Sequence, residues 1–131
     1  MYKRQPHITV GENLLFGMAR GLGHERLTTM RAALREIELT DFENRAPATL
    51  SGGQRQRVSL MRSLLAKPDT MLLDEPFSKL DETLRGSMRQ LTFTQLKESG
   101  TPALLVTHDK ADAPVGGRIY KIENCEVTLV R

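Results

Sequence analysis

Apolar positions along the chain follow two different rhythms. In "GENLLFGMAR", residues 11 to 20, Leu14, Leu15 and Met18 share one helical face before Gly21 and Gly23 break the pattern. From 25 to 39, Leu27, Met30, Leu34 and Ile37 recur three and four apart, while Arg31, Arg35 and Glu38 fall mostly elsewhere. Both stretches predict helices. Residues 1 to 10 have no such period and hold Pro6, so they read as an extended entry. After the loop "TDFENRAPAT", Ser51 offers an N-cap to a third helix, whose stripe of Val58, Met61, Leu64 and Leu65 runs until Lys67 and Pro68 stop it. That helix is expected to pack on the first two.

Beyond Pro68 the rhythm changes. "TMLL" is a short continuous apolar run, which predicts a parallel strand buried on both faces, with Asp74 and Glu75 at its carboxyl end. A helix starting near Asp81 would bury Leu84, Met88 and Leu91 and end before "ESGTP". "ALLVTH" at 103 to 108 then repeats the buried-strand pattern, making a βαβ unit. "RIYKI" and "EVTLV" read as two short strands joined by a turn around Glu123 and Asn124. The pattern is a helical first half followed by an α/β second half, and ligands gather at the carboxyl ends of parallel strands, where Asp74, Glu75 and His108 lie.

Composition excludes more than it assigns. With 39% apolar and 27% charged residues, the chain has the profile of a folded domain. The net charge of +3 is not gathered into a run, which argues against nucleic acid as a partner. The one cysteine, Cys125, cannot form an internal disulfide, and no apolar stretch approaches the roughly 20 residues a membrane span requires.

Three stretches carry chemistry. Two acids after an apolar strand, as in "LLDEP", are costly to bury without a cation or proton partner. In phosphoryl transfer the first carboxylate commonly holds Mg²⁺ through its water shell and the second serves the attacking water, roles that Asp74 and Glu75 fit in that order. A solvated acidic turn is the bland alternative. "SGGQ", residues 51 to 54, places a capping serine and two glycines at a helix start, where free N–H groups and the dipole favour an anion. It reads equally well as an ordinary cap. His108 at a strand end could donate a ring N–H to a phosphate oxygen, although a lone histidine is more often structural.

Taken in order, "LSGGQ" at 50 to 54, "TMLLDEP" at 70 to 76, "SKLD" at 78 to 81 and "THD" at 107 to 109 resemble the ATP-binding subunits of ABC transporters, and the match spans roughly residues 6 to 122. The resemblance implies an α/β fold of the P-loop NTPase class, ABC-type. Residues 6–67 would be the helical signature subdomain and 68–131 the C-terminal part of a RecA-like parallel-sheet core. It also implies an ATPase that takes ATP and Mg²⁺ and drives solute transport. Ser51, Gly52, Gly53 and Gln54 match the signature loop, which in a head-to-tail dimer closes over ATP held by the second ATP-binding subunit. Asp74 matches the Mg²⁺ carboxylate of Walker B, Glu75 the general base, Asp81 the D-loop aspartate that couples the two sites, and His108 the switch histidine. "PHITVGENLLFGM" resembles the segment that meets the transmembrane permease subunits. Those subunits would hold the protein at the inner face of the membrane, in the cytoplasm. The irregular run "DKADAPVGGRIYKI" favours a small-solute importer, with a solute-binding protein as a further partner, and export stays open as the alternative. Repair ATPases with related motifs interrupt them with long insertions that this chain lacks.

One part of the family pattern is missing. A phosphate-wrapping loop needs G-x-x-x-x-G-K-[ST], and no glycine here is followed by lysine. The adenine-stacking aromatic lies further upstream in the family. Gln5 directly precedes Pro6, too close to serve as the Q-loop glutamine. The chain is therefore expected to be the C-terminal half to two-thirds of one subunit, inactive and prone to aggregate by itself. "MYKRQ", residues 1–5, is what one frame of a library-preparation transposon end encodes, and is expected to be a non-native start. The alternative expectation is a natural signature-only partner or inhibitor of an intact ATPase.

Overall fold

The computed structural model describes residues 8–130. The expected non-native start and most of the extended entry lie outside them. Helix α1 (Val10–Gly17) begins at a capping box, with Thr9 Oγ1 accepting the Glu12 N–H and the Glu12 carboxylate accepting the Thr9 N–H. It ends three residues before the predicted limit, at Gly17. Helix α2 (Gly23–Glu36) turns Met30, Ala33 and Leu34 inward. Short 3₁₀ turns at Thr40–Phe42 and Pro47–Thr49 lead to α3 (Gly52–Leu65), which lies against α1. Arg57 on α3 is buried and donates to the Ile37 carbonyl at 2.5 Å, tying α3 to the end of α2. Burial pushes its guanidinium pKa down.

Strand β1 (Met71–Asp74) pairs in parallel with β2 (Ala103–Val106), with Met71 opposite Ala103 and Asp74 opposite Val106. Helix α4 (Glu82–Ser99) joins them, giving the predicted parallel βαβ connection. Asp81 caps α4 by accepting the Leu84 N–H at 3.1 Å, and Gly100, at a φ of 65°, closes it in the left-handed conformation that glycine adopts without strain. The stripe α4 buries is Met88, Thr92 and Leu96, with Leu84 and Leu91 only half-buried. Thr92 joins that stripe because its hydroxyl is satisfied by the Met88 carbonyl at 2.7 Å. Strands β3 (Tyr120–Glu123) and β4 (Glu126–Leu129) form a separate antiparallel hairpin. Its turn places Asn124 and Cys125 at φ values of 50° and 63°, the positive pair that a tight hairpin requires.

One expectation needs correction. β1 is not buried on both faces: Met71 and Leu73 enter the core, whereas Leu72 is 76% exposed, and on β2 Leu104 and Val106 are 59% and 54% exposed. Helices cover one face of this two-stranded sheet and nothing among the described residues covers the other. The core itself is continuous, running from Val10 and Leu14 through Met30, Leu34, Met61 and Leu73 to Phe77, Met88 and Leu96. Burying each such side chain contributes about 1.5–3 kcal/mol relative to exposure.

Candidate functional site

The parallel register brings the carboxyl ends of β1 and β2 together, and with them residues 33 positions apart. The Glu75 N–H donates to the Val106 carbonyl at 2.9 Å, continuing the ladder one step beyond Asp74. Its carboxylate accepts the His108 N–H at 2.9 Å, and Oε1 lies 2.7 Å from the His108 ring Nδ1. The Glu75 backbone is left-handed, at a φ of 45°. A non-glycine residue there costs about 1–3 kcal/mol, so its surroundings must hold it. Pro76 and Phe77 supply one anchor: both are buried, and the Phe77 ring meets Phe93 of α4 edge-on at 6.2 Å between centroids.

His108 is itself held from behind. The fully buried Asp112 accepts from Arg85 Nε and Nη2 at 2.9 Å each, and from the Thr107 hydroxyl at 3.0 Å. Arg85 also pairs with Asp109 at 3.0 Å, and Arg89 donates to the Ala111 carbonyl at 2.5 Å. The hydrogen bond to Asp112 is the chief cause of the raised Arg85 pKa. Together these bonds clamp residues 107–112, the segment that carries His108, to α4. The sequence reading missed this clamp, although Arg85 and Arg89, four apart on one helix face, were its visible signal.

Asp74 is exposed, and its carboxylate takes no hydrogen-bond or ion-pair partner among the described residues. A free strand-end carboxylate fits Mg²⁺, which keeps several waters and needs only one or two protein oxygens. No group of three or more His, Cys, Asp or Glu side chains able to cage a metal occurs among the described residues.

The 51–54 stretch forms the start of α3 as another capping box. Ser51 Oγ accepts the Gln54 N–H at 3.2 Å and Gln54 Oε1 accepts the Ser51 N–H at 2.9 Å. The box occupies the Ser51 and Gln54 amides and leaves those of Gly52 and Gly53, the first two helical positions, available to an anion. The side chains of Ser51 and Gln54 bond each other, not Glu75 or His108. The stretch sits on the loop after β1, where a Cβ on Gly53 would lie 2.8 Å from the Lys79 carbonyl oxygen. Gln56, which the sequence reading also missed, bridges the same two segments. It shares a helix face with Gly52 and Gly53, at spacings of four and three, and that was the signal for it. A groove of about 500 Å³ between α1, α3 and residues 47–50 is lined by Leu50 and Arg55, which flank the 51–54 stretch, and by none of Asp74, Glu75 or His108.

A family model described as "ABC transporter" matches residues 2–78. The chain belongs to the ABC transporter family. Among curated ABC relatives, it is 48% identical over 109 residues to the Fe(3+) ions import ATP-binding protein FbpC of Pseudomonas fluorescens, covering 82% of this chain and 31% of that protein. It is 44% identical over 112 residues to the uncharacterized ABC transporter ATP-binding protein YnjD of Escherichia coli, covering 85% and 52%. The chain thus spans about a third to a half of the relatives it matches. The ATP-binding cassette MJ0796, solved as a dimer bound to ADP and Pi in a post-hydrolysis state, superposes with a TM-score of 0.80 at 33% identity, covering 96% of this chain and 58% of that one. The fold is that of an ABC-type P-loop NTPase. No helix among the described residues is long and apolar enough to cross a membrane.

Proposed function

We infer that these residues form part of an ATP-binding subunit that hydrolyses ATP to power solute import by an ABC transporter. The observation that carries the reading is the meeting of Glu75 with His108, beside the free carboxylate of Asp74, at the ends of β1 and β2. Glu75, oriented by the His108 N–H, takes the proton of the water that attacks the γ-phosphate. The exposed His108 ring hydrogen-bonds a phosphate oxygen. Asp74 holds Mg²⁺, which neutralises charge on the phosphates when bound.

Ser51, Gly52, Gly53 and Gln54 act in trans, on ATP held by the opposite subunit of a head-to-tail dimer. Two features support this: the Gly52 and Gly53 amides left open by the capping box, and the capping box pairing Ser51 and Gln54 with each other rather than with Glu75 or His108. Asp81, at the cap of α4, couples the two sites across the dimer. Import is supported by FbpC, named for Fe(3+) ion import. Permease subunits hold the protein at the inner membrane face, and a solute-binding protein selects the cargo.

ATP turnover needs a phosphate-wrapping loop, which these residues do not include. The test therefore uses a subunit carrying this sequence together with such a loop. Glu75→Gln in that subunit should keep ATP bound while lowering turnover at least about a hundredfold. Turnover at the wild-type rate would overturn the reading.

A further inference from the structure

Gln56 holds the loop after β1 with both ends of one amide group. Nε2 donates to the Glu75 carbonyl at 3.0 Å and Oε1 accepts the Lys79 N–H at 2.9 Å. The Glu75 carbonyl also receives the Ser78 hydroxyl at 3.1 Å. The left-handed Glu75 backbone is thus fixed from two sides, its N–H by Val106 of β2 and its carbonyl by Gln56 of α3. Gln56 lies one helical turn from the Gly52–Gly53 pair, and Gly53 seats directly against Lys79, where no side chain would fit. The glycine-led end of α3 and the segment 75–79 are therefore pinned together at two points, and neither can shift without the other.

We propose that Gln56 is a positioning residue that ties the Glu75 carboxylate to the position of the Ser51–Gln54 end of α3. The proposal rests on the reading of Glu75 as the general base. A change in the seating of α3, such as closure onto a nucleotide held by a second subunit, is passed through the Gln56 amide to the Glu75 carbonyl. The carboxylate that orients water in one site thereby responds to occupancy of the other. Gln56 touches neither substrate nor reacting atoms, and acts only through Glu75 and Lys79.

Gln56→Ala and Gln56→Met test this in the same loop-bearing subunit; methionine keeps the length and volume but supplies neither hydrogen bond. Both variants should lower kcat about ten- to a hundredfold while the KM for ATP stays within about twofold. The Lys79 amide should exchange with solvent faster in both. Gln56→Met should melt close to the wild type, separating positioning from folding. Wild-type kcat in Gln56→Met with a rapidly exchanging Lys79 amide would overturn the proposal and leave the assigned function intact. Should Glu75→Gln turn over ATP like the wild type, the function falls first and the role of Gln56 with it.

Discussion

The Glu75 carboxylate accepts the His108 backbone N–H at 2.9 Å and stands 2.7 Å from the same residue's ring Nδ1, so one histidine meets it through two independent groups. His108→Ala removes the ring and leaves the backbone donor. Stability should therefore change by no more than about 0.5 kcal/mol, because the ring is mostly exposed. Turnover in a loop-bearing subunit should fall about a hundredfold or more, since a preorganised donor to the transferring phosphate is lost. Melting curves and single-turnover rates on the same preparation separate the two effects.

Adjacent glycines should respond differently to the same change. A Cβ at Gly53 would meet the Lys79 carbonyl oxygen at 2.8 Å, a backbone atom of the residue whose N–H is held by Gln56 at 2.9 Å. Gly53→Ala should cost about 1–3 kcal/mol. At Gly52 the nearest atom is Lys79 Cδ at 3.4 Å, on a flexible chain, so Gly52→Ala should be neutral or gain up to about 1 kcal/mol of helix propensity. Chemical denaturation of the two variants measures the difference directly.

Removing Asp112 should loosen the segment that carries His108. Its buried carboxylate is the shared acceptor for Arg85 and Thr107, and Asp112→Ala would remove the bidentate partner of Arg85 and the shorter bond of Thr107, leaving Arg85 only its ion pair with Asp109. The melting midpoint should fall by about 5–10 °C, and the His108 amide should lose protection from hydrogen exchange. Protection of His108 at the wild-type level would show that Glu75 alone holds it.

A pH effect is expected far from this site. The Arg31 guanidinium grips Glu43 at 2.9 and 3.2 Å and holds its carboxyl below the usual carboxylate range, chiefly through the hydrogen bond. Because the folded pKa is depressed, the contribution is fully present above the ordinary glutamate pKa and fades as pH falls through the folded value. Arg31→Ala should return the Glu43 titration, followed by NMR, to the ordinary range. Variant and wild type should differ slightly in melting temperature at neutral pH and converge in strong acid.

Locally encoded features were legible in the sequence. Ser51 with Gln54 and Asp81 ahead of Leu84 specify helix starts through bonds spanning three residues, and the apolar spacing of α2 and α3 specifies which faces are buried, except that Leu27 at the start of α2 stays exposed. Those interactions lie within one turn of their own residues, so the sequence by itself determined them, along with the ordered motifs that marked the family. What only the tertiary structure decided lies between distant elements. The parallel register set Glu75 beside His108, and the seating of α3 on residues 75–79 recruited Gln56. The packing of residues 107–112 on α4 buried Asp112 against Arg85. It also decided that Leu72 faces solvent: an apolar run states that a strand prefers burial, but whether both its faces find cover depends on which elements pack there.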